Sequence, residues 1–164
     1  MCEKLVEAGL LVGKVKSMMS ANVPGVLMPH GLGHFMGIDT HDVGGYPKDA
    51  KRDTRDGYNA LRAQVVLEPG HVLTVEPGIY FMEYALQEAK QKKTLSKFFN
   101  WDRIADFESF GGVRLEDNVL VTESGIENFT TAPRTVDEVE AVMRGEVADS
   151  VALIQRRSDA LQGA

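Results

Sequence analysis

Three of the four histidines in the chain lie within residues 29–47, the run Pro29-His30-Gly31-Leu32-Gly33-His34 continuing to Thr40-His41-Asp42-Val43-Gly44-Gly45-Tyr46-Pro47. Imidazole is the side chain that most readily serves as metal ligand and proton carrier near neutral pH. Five glycines in the same run allow close backbone approach and positive φ. A stretch dense in both reads as an active-site loop, and equally as a glycine-rich loop with solvated histidines. Two carboxylates stand at structured positions elsewhere, Glu76 and Glu116, with two arginines, Arg62 and Arg114. Histidine with two carboxylates on separate strands is a recurrent divalent-metal set, and its mix of oxygen and nitrogen suits manganese, cobalt or zinc better than calcium. The competing reading pairs Glu76 and Glu116 with Arg62 and Arg114 as ordinary ion pairs. Spacing alone leaves both open.

The elements that must position these groups follow from pattern. Residues 2–12 carry Leu5, Val6, Leu10 and Leu11 at near-helical spacing, and Val15 to Met19 predicts a second helical piece. Lys48 to Asn59 reads as a surface loop, and Leu61 to Leu67 as an extended strand carrying Arg62. Glu68-Pro69-Gly70-His71 has type II turn composition, which leaves His71 solvated. Val72 to Glu76 predicts a strand with Val72, Thr74 and Glu76 on one face, ended by a second turn at Glu76-Pro77-Gly78-Ile79. Met82 to Lys93 is helix-prone, with Phe98, Phe99 and Trp101 as a small satellite cluster beneath it. Val113 to Thr122 alternates as one strand, placing Arg114, Glu116 and Asn118 on a common face. It turns at Glu123-Ser124-Gly125 and returns through Thr131. Thr135 and Glu138 form a capping box for a helix through Met143, and residues 146–164 form a tail with weak helical spacing.

Composition narrows the function class. A chain of 164 residues is long enough for one domain with a real core. The net charge of −6 disfavours nucleic acid or an anionic membrane as the main partner. No apolar run approaches the ~20 residues needed to span a bilayer, and the N-terminus lacks a signal peptide's pattern. The single cysteine, Cys2, excludes an internal disulfide and suits a reducing compartment, so a cytoplasmic location is expected.

Four motifs in order carry a resemblance: Pro29-His30-Gly31-Leu32-Gly33-His34, Thr40-His41-Asp42-Val43-Gly44-Gly45-Tyr46-Pro47, Val72-Leu73-Thr74-Val75-Glu76-Pro77-Gly78 and Gly111-Gly112-Val113-Arg114-Leu115-Glu116-Asp117. They resemble the pita-bread metallopeptidase family, in its Xaa-Pro dipeptidase (prolidase) branch, from roughly Leu5 to Met143. The helical insertion between Tyr80 and Gly111 favours that branch over aminopeptidase P. The resemblance implies an α+β fold in which a curved antiparallel sheet carries helices on its outer face, with residues 1–145 as the C-terminal portion of the catalytic domain. It implies a centre of two manganese ions, with cobalt or zinc as substitutes. His34, Glu76 and Glu116 match metal ligands, and Glu116 matches the one that bridges the ions. His30 and His41 match contacts to substrate and to the developing tetrahedral intermediate, Glu76 a proton shuttle as well as a ligand, and Arg62 the group that binds the C-terminal carboxylate of a dipeptide ending in proline. Arg114 reads as the residue orienting Glu116. The implied reaction is metal-assisted hydrolysis of the bond preceding proline.

The chain also departs from the pattern. The family's two other ligands are aspartates on an earlier strand hairpin, ahead of the helix that opens this sequence. The expectation is therefore a C-terminal fragment of such an enzyme, with an incomplete centre and little or no activity alone. Uncovered apolar surface and a free sheet edge would favour self-association or a homodimer. Two alternatives remain: a non-enzymatic pita-bread module that binds peptides or a partner protein, and an aminopeptidase P relative.

Overall fold

The computed structural model describes residues 1–146 of the chain. The tail expected at 146–164 therefore lies outside the described residues from 147 onward. The described residues combine helices and antiparallel strands, joined by irregular segments that include residues 28–57 and 61–71, as the α+β expectation requires. In chain order they are α1 (Cys2–Glu7), α2 (Val15–Ser20), α3 (Val23–Leu27), a single 3₁₀ turn (Tyr58–Ala60), β1 (Val72–Val75), β2 (Gly78–Tyr80), α4 (Glu83–Gln91), α5 (Lys93–Ser96), α6 (Trp101–Ala105), β3 (Gly112–Arg114), β4 (Asp117–Thr122), β5 (Gly125–Asn128) and α7 (Val136–Met143).

The core belongs to the helices. Leu5, Leu11, Met18, Val23 and Leu27 from the N-terminal third meet Phe81, Leu86, Ala89, Phe98, Phe99 and Ile104 from the segment between β2 and β3. Burying each large aliphatic or aromatic side chain contributes roughly 1.5–3 kcal/mol, so this contact is the main driving force of the fold. Backbone bonds tie the same two regions, from Val12 N to Phe98 O at 2.8 Å and from Asn100 N to Leu10 O at 3.0 Å. Phe98 and Phe99 are thus part of the main core, and the expected satellite cluster is not separate. The expected helix at 82–93 divides into α4 and α5 at Lys92. No helix among the described residues is long and apolar enough to cross a membrane.

The strands form two antiparallel sheets, β1-β4-β5 and β2-β3. The single strand expected at 113–122 is interrupted at Leu115 and Glu116. Its first part pairs with β2 (Gly78↔Arg114) and its second with β1 (Val75↔Asp117). Opposite that interruption stand Glu76 and Pro77, between β1 and β2. The turn at Glu68–His71 closes through His71 N to Glu68 O at 3.1 Å, with Gly70 at φ +93° as a type II turn demands. No second turn follows Glu76: Gly78 enters β2 directly, and a strand break replaces the expected reversal. His71 is half-buried, not simply solvated. It accepts a hydrogen bond from Glu68 N and sets its ring edge-on to Phe35 at 4.8 Å.

Residues 61–67 are not a strand. Gln64 N bonds to Gly45 O, and Leu61 O accepts from the Tyr46 hydroxyl, so this segment pairs with the histidine loop at isolated points. The free edge of β1 is instead taken by residues 32–36. Met36 N bonds to Val72 O, Thr74 N to His34 O and Glu76 N to Leu32 O. At the C-terminal end the capping box forms as its sequence predicts, with Thr135 Oγ1 accepting from Glu138 N and Glu138 Oε2 accepting from Thr135 N.

Candidate metal centre

His34 is held by its backbone before its ring does anything. Its carbonyl accepts from Thr74 N, and its own amide donates to Thr74 Oγ1 at 3.0 Å. This pairing demands close approach, because a Cβ on the neighbouring Gly33 would stand 1.9 Å from Thr74 O. The imidazole is 5% exposed, and its Nδ1 lies 2.9 Å from Phe35 O. A carbonyl only accepts, so Nδ1 carries the proton and Nε2 presents its lone pair. That lone pair faces Glu76 Oε1 at 3.2 Å. Glu76 is itself buried, at 9% exposure. Two electron-rich atoms turned toward each other in a desolvated place require a cation or a proton between them.

Glu116 completes the group. Ligand atoms of His34, Glu76 and Glu116 all lie within 4.8 Å of one another. One nitrogen and two carboxylates of this spacing fit a divalent metal ion, and the Nδ1 bond to Phe35 O is the kind of outer contact that fixes the tautomer and orientation of a ligating histidine. Glu116 is exposed, whereas the other two are buried, so the cluster has a closed wall and an open side.

Arg114 serves both carboxylates. Its Nε lies 3.2 Å from Glu116 Oε2 and its Nη1 3.7 Å from Glu76 Oε2. The guanidinium is held above its ordinary value, chiefly by Tyr80, with further contributions from Glu116 and Glu76. With the arginine 48% exposed, its ion pairs add little stability, and its effect is orientation. The ion-pair reading of these carboxylates is thus realised through Arg114, alongside the metal-type cluster. Tyr80, on β2, also reaches His30: its hydroxyl is 3.0 Å from His30 Nε2, while His30 Nδ1 lies 2.7 Å from Gly31 O. The carbonyl again assigns the proton to Nδ1, so Tyr80 donates and His30 accepts. His41 stands edge-on to His34, with ring centroids 4.4 Å apart.

A cavity of about 210 Å³ has His30, His41, Arg62, Glu76 and Arg114 in its wall. Glu76 is shared between this wall and the cluster of His34 and Glu116, while Arg62 arrives on an irregular segment. A larger cleft of about 530 Å³ lies between α3 and α4, away from the ligand cluster. Two contributors escaped the sequence reading, Thr74 and Tyr80. The alternation along β1 put Thr74 on the face of Glu76 and could have found it. For Tyr80 the needed signal was the β2–β3 register, which no local pattern prints.

Residues 1–123 match the model of metallopeptidase family M24. The chain belongs to the M24 family. Among similar M24 proteins, the Xaa-Pro dipeptidase of Homo sapiens is 51% identical over 143 residues, covering 87% of this chain and 29% of that protein. The Xaa-Pro dipeptidase of Rattus norvegicus is 50% identical over the same length. A protein of Aspergillus clavatus named "Probable Xaa-Pro aminopeptidase pepP" is 44% identical over 138 residues, with 84% and 29% covered. The chain thus spans less than a third of the length of the curated relatives it matches. Among solved structures, zinc-substituted aminopeptidase P of E. coli in complex with product superposes with a TM-score of 0.60 at 32% identity, over 91% of this chain and 27% of that one. Aminopeptidase PepP of Pseudomonas aeruginosa gives 0.58 at 34%, over 88% and 26%. The mixed α+β architecture of helices flanking a small antiparallel sheet is that of the pita-bread catalytic domain seen in these homologues.

Proposed function

We propose that this chain supplies part of the catalytic centre of a metal-dependent peptidase acting on dipeptides with C-terminal proline, with residues 1–145 as part of the catalytic domain. The observation that carries the reading is the buried, mutually facing pair His34 Nε2 and Glu76 Oε1, with Glu116 beside it. The dipeptidase reading is favoured by identities of 50–51% to proteins named Xaa-Pro dipeptidase, against 44% to the Aspergillus protein named as an aminopeptidase.

His34, Glu76 and Glu116 would hold the metal, with manganese the expected ion and cobalt or zinc able to replace it. When bound, it supplies Lewis acidity that polarises the scissile carbonyl. The remaining work falls to the chain's own side chains. Arg62, exposed on the cavity wall, offers a planar fork to the substrate carboxylate. His41 and His30 line the same cavity, where each meets the substrate and the oxygen that gains charge in the transition state. His30 is oriented for this by Gly31 O on one nitrogen and Tyr80 on the other. Glu76 carries protons between its carboxylate and the reacting groups. Arg114 offsets the combined charge of Glu76 and Glu116. Three protein ligands leave further positions for water, substrate or another segment to fill. A cytoplasmic setting agrees with the single cysteine. Self-association would use the exposed apolar residues of β5 and α7, among them Ile126, Val136 and Met143.

Calorimetric titration with Mn²⁺ tests the centre. The wild-type chain is expected to bind, and His34→Ala and Glu76→Gln to lose most of that affinity. Unchanged binding in both variants would remove the reading. With only three protein ligands from this chain, Gly-Pro is expected to be hydrolysed little or not at all when Mn²⁺ is present, and robust turnover abolished by His34→Ala would overturn the reading of an incomplete centre.

A further inference from the structure

Thr74 lies between the two buried members of the cluster and touches both. It is 2% exposed, on β1. Its Oγ1 accepts the His34 amide at 3.0 Å and stands 3.1 Å from Glu76 Oε1. A hydroxyl has one proton to give. Because the His34 N–H points at the oxygen, that proton cannot point back, and the carboxylate is the acceptor left to it. The direction of the bond is therefore set by the backbone.

The consequence falls on Glu76. The terminal torsion of a glutamate is broad and roughly two-fold, so an unrestrained carboxylate turns freely about it. Here Oε1 is fixed by Thr74 and Oε2 faces Arg114. One lone pair of Oε1 is occupied by the hydroxyl, and His34 Nε2 lies on the same oxygen at 3.2 Å. Thr74 also brings the chain segment of His34 to the strand of Glu76, since the same oxygen receives the His34 amide. A β-branched side chain is stiff at χ1, which suits a fixed post of this kind.

We infer that Thr74 is a positioning residue of the metal centre: its hydroxyl couples the backbone of His34 to the carboxylate of Glu76 and fixes the angle at which the two present their lone pairs. This rests on the metal-centre reading of His34, Glu76 and Glu116.

The experiment uses the full 164-residue chain. Mn²⁺ affinity is measured by calorimetry, and the coordination geometry by the visible absorption of the Co²⁺-loaded protein. Thr74→Val keeps the shape and removes the hydroxyl; Thr74→Ser keeps the hydroxyl. Outer contacts of this type typically govern about 10–100-fold in metal affinity, so Thr74→Val is expected to weaken Mn²⁺ by about that factor and to alter the Co²⁺ bands. Thr74→Ser is expected to stay near wild type in both. Near-UV circular dichroism reports folding, and Thr74→Ala replaces the valine variant if that one does not fold. A residue that merely packs would lower thermal stability and leave the Co²⁺ spectrum of the folded protein unchanged. Wild-type Mn²⁺ affinity and Co²⁺ bands in a folded Thr74→Val or Thr74→Ala chain would overturn the inference. If the wild-type chain bound no Mn²⁺ sensitive to His34→Ala, the metal-centre reading itself would fall, a result obtained without any Thr74 variant.

Discussion

Replacing Gly33 with alanine probes the contact on which the site is built. The added Cβ would meet Thr74 O at 1.9 Å, where ordinary contact begins at 3.4 Å. The obstacle is backbone of the strand that also carries Glu76, so it cannot swing aside as a flexible side chain would. Residues 32–36 must retreat from β1 by about 1.5 Å to relieve the clash, well beyond the tolerance of a hydrogen bond. Of the four bonds across that seam, three are made by the residues on either side of Gly33: Thr74 N to His34 O at 2.9 Å, Glu76 N to Leu32 O at 2.7 Å and His34 N to Thr74 Oγ1 at 3.0 Å. At a net ~1 kcal/mol each, their loss costs about 3 kcal/mol. For a chain of this size, that lowers the melting temperature by roughly 6–12 °C. Urea unfolding gives the stability change, and Mn²⁺ calorimetry on the folded variant gives the effect on the site, expected to be a loss of about tenfold or more. A Gly33→Ala chain with stability within about 1 kcal/mol of wild type and unchanged Mn²⁺ binding would refute the reasoning, since the seam would then have room the geometry denies.

Three further outcomes are expected. The Asp53 carboxyl is held down to about 2 from its ordinary 3.8, first by the Arg55 side chain and then by the Arg55 backbone N–H. The stability this contributes is fully present above 3.8 and is lost as pH falls through about 2. A ¹³C NMR titration should place the Asp53 midpoint near the lower value and return it toward the upper one in Arg55→Ala. Thr135→Ala removes the hydroxyl that caps α7 and should cost ~1 kcal/mol in chemical denaturation, with amide exchange accelerating in that helix's first turn. Leu11→Ala opens a cavity at a side chain 1% exposed and should cost about 2–5 kcal/mol while leaving Mn²⁺ affinity of the folded chain intact. A parallel loss of affinity would show that core and site are coupled.

Legibility from sequence depended on how local the determining physics was. The capping box at Thr135 and Glu138 and the turn at Glu68–His71 are settled within four residues, and both stand as read. His34, Glu76 and Glu116 were legible through motif likeness, and their convergence needed a register no window contains. The strand expected at 61–67 failed for the opposite reason. Its residues suit a strand, but the open edge of β1 was taken by residues 32–36, and Gln64 was left with one bond to Gly45. The break at Leu115 and Glu116 was equally hidden, because alternation runs through it unbroken while the pairing partner changes from β2 to β1. Phe98 and Phe99 joined the main core because Leu10 and Val12, nearly ninety residues earlier, bond to the same stretch.

Core and chemistry occupy different parts of this chain. The main cluster of buried side chains contains no residue from any of the five strands, while Glu76, Glu116, Arg114 and Tyr80 sit on or between strands. The segment supplying about half of that cluster leaves the sheet at Tyr80 and returns at Gly112, two residues paired with each other. Substitutions in it can therefore accumulate as changes in melting temperature while the ladder keeps its register. Along β1 and β3 the tolerance is far narrower, since a one-residue insertion there would exchange a carboxylate for Val75 or Leu115. Sequence drift and sequence constraint should divide along that line, with the helices recording the history of the protein's working temperature and the strands recording its reaction.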